Sequence, residues 1–209
     1  MFDLQITPEK VLLVAIFLLI AFPIHEFAHA FVAWRLGDST ARLFGRLSLN
    51  PIVHFDPLGG LMLIITAIGS PFLFGWAKPT PVNPMNLRDR RNGEVWVALA
   101  GPVSNLLMAA LAALVLRVVG PSSAVPLEAK EILLLFVYFN VALAVFNLIP
   151  IPPLDGSAIL FRLVSPRTAW QLRPMLAQYG FIVLLVFIFV LSRPLSEVIL
   201  RVTRLLVGT

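Results

Sequence analysis

The sequence has no cysteine among its 209 residues, which excludes a disulfide framework, a thiolate zinc cluster and a thiol nucleophile. Charge is scarce too. Only 13% of residues are Asp, Glu, Lys or Arg, against roughly 25% in a soluble domain. The net charge of +5 is not gathered into a basic run with interleaved aromatics, so nucleic-acid binding is not a reading the chain supports. No internal repeat, low-complexity tract or long linker divides it, and residues 1–209 read as one domain. Apolar surface stands where charge is missing. The chain is 59% hydrophobic with a mean hydropathy of +0.92, which marks a polytopic membrane protein whose solvent is the lipid bilayer.

Within that apolar background lies one polar constellation, His25-Glu26-Phe27-Ala28-His29. Histidines four apart share one face of a helix, so both imidazoles can reach one metal ion. Glu26 then stands beside the open coordination position, where a carboxylate can act as base on water. With three His and six Glu in the chain, shuffling would produce this spacing about once in a thousand trials. A secretory signal ending in Ala28-His29-Ala30 is the competing reading. It fails because Asp3 and Glu9 offset Lys10 and the His-Glu pair interrupts the apolar core.

The apolar segments predict an all-α polytopic membrane protein with spans at about 10–36, 95–119, 131–149 and 175–191. Pro23 is expected to bend the first of them. Segment 58–74 is interrupted by Gly59-Gly60 and Gly69-Ser70-Pro71, and reads as a re-entrant hairpin or an additional span. Residues 42–49 alternate with a period of two and predict one or two short strands at the membrane surface. Such an edge can hold an extended substrate by strand addition, or be an ordinary hairpin. From Pro194 onward the pattern predicts an amphipathic helix lying on the membrane.

Catalytic zinc takes three protein ligands and keeps one position open. His54, Asp56 and Asp155 are the candidates for the third. Asp155 leads them, because it ends an apolar span and an ionisable group at that depth is functional by default. The alternative is that it caps a short helix. The first helix and 131–149 bring His25 and Asp155 to one depth only if they run in the same direction. Segment 95–119 must then return the chain alone, with 58–74 not crossing. That arrangement gathers Arg35, Arg42, Arg46, Lys78, Arg88, Arg90, Arg91, Arg162, Arg167 and Arg173 on one side, the cytoplasmic one. His54 either bonds a turn or serves the site by polarising a carbonyl, orienting substrate or touching the metal transiently. Asn105 and Asn147 are helix-packing contacts or substrate contacts.

Taken together, these motifs resemble the site-2 protease family of intramembrane zinc metalloproteases. The likeness rests on His25-Glu26-x-x-His29 in a membrane helix, Gly101-Pro102-x-x-Asn105, and Asn147-x-x-Pro150 leading to Leu154-Asp155-Gly156. It implies one Zn2+ per chain on His25, His29 and Asp155, Glu26 as general base, and Asn147 holding substrate near the metal. The implied substrate is a single-span membrane protein, cut within or near its transmembrane segment, in the cytoplasmic membrane of a prokaryote. His54 and Leu49-Asn50-Pro51…Asp56-Pro57 resemble a compact subgroup of the family, and the chain leaves no room for a PDZ domain. Two other classes compete. A metal transporter would use the histidines as a transit site but gives Glu26 no task, and a catalytically silent scaffold would keep the site without using it.

Overall fold

The computed structural model describes residues 17–69 and 77–208. A π-helical turn, Phe17–Ala21, leads into α1, Phe22–Arg35. Pro23 has no N–H and its ring crowds the turn before it, so the helix is irregular just ahead of His25. Three short helices follow, α2 (Thr40–Leu43), α3 (Pro51–His54) and α4 (Pro57–Gly69), and then a 3₁₀ turn at Pro84–Asn86. The remaining helices are α5 (Arg90–Val119), α6 (Leu127–Asn147), α7 (Gly156–Leu163) and α8 (Pro166–Val207).

Local chemistry explains where several of these begin. Asp89 accepts hydrogen bonds from the Arg91 and Asn92 amides at the start of α5. Asn50 and Ser165 do the same for α3 and α8, each followed by proline at the first helical position. Among the described residues α5, α6 and α8 are long and apolar enough to cross a membrane. Their outer faces carry exposed Leu107, Leu111 and Val118 on α5, Leu134 on α6, and Phe189 and Val190 on α8. Such surface is stable against lipid, and the chain is an all-α integral membrane protein.

Helix α5 is the axis of the bundle. It runs antiparallel to α1, because Asn105 lies by His25 while Val97 lies by His29. On its other side Asn105 meets Asn140 of α6, and α6 returns antiparallel to α5. Helices α1 and α6 therefore run in the same sense. Ala109, Ala112 and Ala113 of α5 let Val137 and Val141 of α6 and Ile199 of α8 pack closely against them. At the start of α5 the polar ties gather. Arg162 donates to Asn92, Arg91 to the carbonyls of Arg162 and Val164, and Arg173 pairs with Glu94 at 2.8 Å.

Two expectations need correction. Residues 42–49 contain no strand, and none occurs elsewhere among the described residues. Thr40–Leu43 is a helical turn, Gly45 takes φ +70°, and the Arg46 amide bonds back to Ala41. The Arg46 guanidinium caps the Val53 carbonyl. With no neighbouring edge to pair with, the alternating segment satisfies its backbone within itself. The tail is also not a separate surface helix. Residues 166–207 form one helix through Pro194, with the Ser192 and Ser196 hydroxyls bonded to nearby carbonyls. Its polar residues Glu197 and Arg201 point outward, while Ile199 and Thr203 are buried against the bundle. Helix α4 measures about 20 Å at 1.5 Å per residue, short of the ~30 Å hydrocarbon layer; residues 70–74 of that segment lie outside the described residues.

Candidate metal centre

A backbone carbonyl of α6 sets the tautomers of the site. Phe136 O can only accept, so Asn140 turns its amide Nδ2 to it at 2.9 Å and its Oδ1 toward Asn105. Asn105 must then donate through Nδ2 to Asn140, at 2.9 Å, and present Oδ1 to His25 Nδ1 at 2.5 Å. Both asparagines are fully buried, so their amides satisfy their polarity within this relay. His25 therefore carries its proton on Nδ1. Likewise His29 Nδ1 lies 2.7 Å from the Val97 carbonyl and must donate to it. In the neutral imidazoles both Nε2 atoms are then lone pairs.

Those two lone pairs face each other at 3.1 Å. Asp155 Oδ2 completes the triangle, 3.4 Å from His25 Nε2 and 3.3 Å from His29 Nε2. It is buried and has no hydrogen-bond partner among the described residues. Three acceptors converging without a donor repel one another unless a cation lies between them. Their separations match the edge of a tetrahedron with bonds of about 2.0 Å, which is roughly 3.3 Å. Two imidazoles and one carboxylate oxygen with a fourth direction open fit zinc.

Asp155 reaches this point from the loop joining α6 to α7. It precedes α7 but makes no capping hydrogen bond; its side chain turns to the histidines instead. Gly156 makes that possible, since a Cβ there would lie 2.5 Å from the Ile149 carbonyl and closer to that of Leu148. Gly101 does the same for α5. A Cβ at that position would stand 2.6 Å from His25 Nε2 and closer to His29 Nε2, in the space a bound ion needs.

Glu26 is buried beside the histidines. Its Oε2 accepts from the Thr80 amide at 3.0 Å and the Thr80 hydroxyl at 2.7 Å. Asn147 is half-buried in the last turn of α6 and donates to the Leu143 carbonyl. His54 is buried, donates through Nε2 to the Ser48 carbonyl at 2.8 Å, and leaves Nδ1 without a partner among the described residues. Asp56 accepts from the Gly59 amide at the start of α4. Neither belongs to the cluster, which holds His25, His29 and Asp155. Asn105 lies behind His25, fully buried, with Oδ1 on His25 and Nδ2 on Asn140.

Sequence reasoning missed Asn140, the Val97 carbonyl and Thr80. A second asparagine in an apolar span was the available signal for Asn140. For Thr80 it was a threonine between two prolines, Pro79 and Pro81. Nothing local could have marked Val97.

Comparison with known proteins now adds to this geometry. Residues 117–191 match the model of the family described as Peptidase family M50. A Bacillus subtilis (strain 168) protein named "Putative zinc metalloprotease YwhC" is 39% identical over 174 residues, covering 81% of this chain and 76% of its own length. Two proteins named "Putative zinc metalloprotease Rip2" are each 35% identical. The one from Mycolicibacterium smegmatis aligns over 79% of this chain and 62% of its own length, and the one from Mycobacterium tuberculosis (strain H37Rv) over 80% and 63%. No solved structure matches. The chain belongs to peptidase family M50, the site-2 protease family of intramembrane zinc metalloproteases.

Proposed function

We propose that this protein hydrolyses peptide bonds within or near the transmembrane segments of single-span membrane proteins, with His25, His29 and Asp155 holding one zinc ion. The observation that carries the reading is the convergence of three lone-pair atoms at 3.1–3.4 Å with both histidine tautomers fixed from behind. When bound there, zinc supplies Lewis acidity toward water and a peptide carbonyl. Glu26 takes the proton from the attacking water on its carboxylate and delivers it to the departing amine. Asn147 and His54 stand as candidate substrate contacts, Asn147 from the end of α6 and His54 through an Nδ1 that has no partner among the described residues. The substrate helix must open locally, because a hydrogen-bonded helix shields its own carbonyls. Helix-breaking residues near the cut therefore favour cleavage.

The Arg-rich end of the bundle, with Arg91, Arg162 and Arg173 tied to the start of α5, supports a cytoplasmic placement of the site. Relatives from Bacillus and mycobacteria support the cytoplasmic membrane of a prokaryote. The test is co-expression with a panel of single-span membrane proteins, comparing wild type with Glu26→Gln. Expected is cleavage of one or more by wild type and none by the variant, with zinc content equal in both. Cleavage by the zinc-loaded variant would overturn the assignment of Glu26.

A further inference from the structure

The segment between α4 and α5 is chemically unusual: Lys78-Pro79-Thr80-Pro81-Val82-Asn83-Pro84. Proline fixes its own φ and drives the preceding residue to extended backbone. Lys78, Thr80 and Asn83 each precede proline, so the segment is held extended without help from a sheet. It has no regular secondary structure over 77–83, and an extended strand of this kind makes no internal hydrogen bonds. Its remaining N–H groups must find partners elsewhere. The Lys78 amide donates to the His54 carbonyl at 2.9 Å and the Asn83 amide to Asp38 Oδ2 at 2.6 Å. Farther on, the Arg88 amide donates to the Leu36 carbonyl at 3.0 Å. The segment is a strap laid alongside α1 and tied at both ends.

Thr80 is the residue between those ties. Its amide and its hydroxyl both reach one oxygen of Glu26, Oε2, at 3.0 and 2.7 Å. The same hydroxyl lies 3.2 Å from the Glu26 backbone carbonyl. No hydrogen bond reaches Oε1 from the described residues. Two donors on one carboxylate oxygen fix the rotation of the group and leave the other oxygen to receive a proton. A glutamate on an apolar helix face has three side-chain torsions to lose before it can act, and nothing on α1 itself restrains them.

We propose that Thr80 is a positioning residue for the catalytic base, and that the proline-rich strap exists to deliver it. Thr80 holds Glu26 Oε2 in place so that Oε1 faces the reacting water. This inference rests on the reading of Glu26 as base. It opposes the other role a strap over an active site can have, that of a plug which substrate must displace.

The first test needs no substrate. Hydrogen exchange over residues 77–83 is compared in wild type and Glu26→Ala, both zinc-loaded in nanodiscs. The Thr80 amide is expected to exchange on the order of 10-fold faster in the variant, because its acceptor among the described residues is gone. Equal exchange would overturn the contact. The second test uses a single-span membrane protein that wild type cleaves in the panel above. Thr80→Val should lower kcat by on the order of 10- to 100-fold with KM nearly unchanged, at undiminished zinc content, and Thr80→Ser should restore at least half of kcat. Wild-type turnover by Thr80→Val would overturn the proposal, a gain in turnover would identify the strap as a plug, and loss of zinc would make Thr80 a structural element of the metal site. Cleavage by zinc-loaded Glu26→Gln would instead defeat the underlying reading, so the two failures are distinguishable.

Discussion

Asn105 Oδ1 lies 2.5 Å from His25 Nδ1, at the end of a hydrogen-bond relay that starts from the Phe136 carbonyl on another helix. A metal-bound histidine needs its far nitrogen held by an acceptor, which sets tautomer and ring angle and raises basicity. Replacing Asn105 with Leu keeps the volume and removes that acceptor. Zinc affinity should fall about 10- to 100-fold, as measured by competition with a fluorescent chelator. Asn140→Leu should weaken binding less, since Asn105 can still face His25 without its fixed polarity. Affinity within twofold of wild type for Asn105→Leu would remove this relay from the site.

Gly101 makes a sharper prediction. A methyl group there collides with both Nε2 atoms of the proposed zinc site, and it lies on α5, whose backbone cannot withdraw without dragging Val97 and Asn105. Gly101→Ala should therefore insert in the membrane and yet retain little zinc. Metal analysis of the purified protein, with circular dichroism to confirm helix content, checks this. Full zinc occupancy in the alanine variant would show that α5 can move away from α1.

How much of this was legible beforehand depended on the range of each interaction. His25, Glu26 and His29 could be read because four residues of helix suffice to place them. Asp155 needed only a count of crossings and a choice among few acids. Thr80 and Asn140 could not be assigned roles, because their partners lie 54 and 35 residues away and no period in the sequence encodes such a contact. The strand expected at 42–49 failed for a related reason: alternation describes a surface with two faces but cannot supply a partner edge. In the tail, Glu197 and Arg201 made one helix face polar, which lipid headgroups and the outside of a bundle tolerate equally. The choice was made by Ile199 and Thr203 packing on α5 and α6, and by Arg117 donating to the Leu205 and Val207 carbonyls at the end of α8.

Asp38 connects the end of α1 to the strap and offers a pH test. It is fully buried and accepts from the Thr40 amide and hydroxyl, the Asn83 amide and the Asn86 side chain. Burial by itself would raise its carboxyl, but the hydrogen bonds from Thr40, Asn86 and Asn83 prevail and hold it below the usual carboxylate range. A group whose folded pKa is depressed stabilises the fold fully above its unfolded value, about 3.9, and loses that contribution as pH falls through the folded one. Asp38→Asn should cost about 2–3 kcal/mol near neutral pH. The gap between wild type and variant in thermal unfolding should close as pH drops below about 4. A gap that stays constant down to pH 3 would mean that the carboxylate charge contributes nothing.

Removing the metal should be felt as stability and not only as lost activity. Without the metal, His25 Nε2 and His29 Nε2 of the neutral rings and Asp155 Oδ2 are acceptors 3.1–3.4 Å apart, and among the described residues no other bond ties the Asp155 side chain to α1. An ion that binds only the folded state stabilises it by about 2.7 kcal/mol at a hundredfold excess over its Kd. Tm should accordingly rise with free zinc and fall on chelation. Asp155→Ala separates this from a nonspecific effect of chelator. It removes one of the three acceptors, so the unloaded variant escapes part of their repulsion and its Tm should respond far less to zinc or chelator. If wild type and Asp155→Ala shift equally, the ion stabilises the protein from some place other than the meeting point of α1 with the loop after α6.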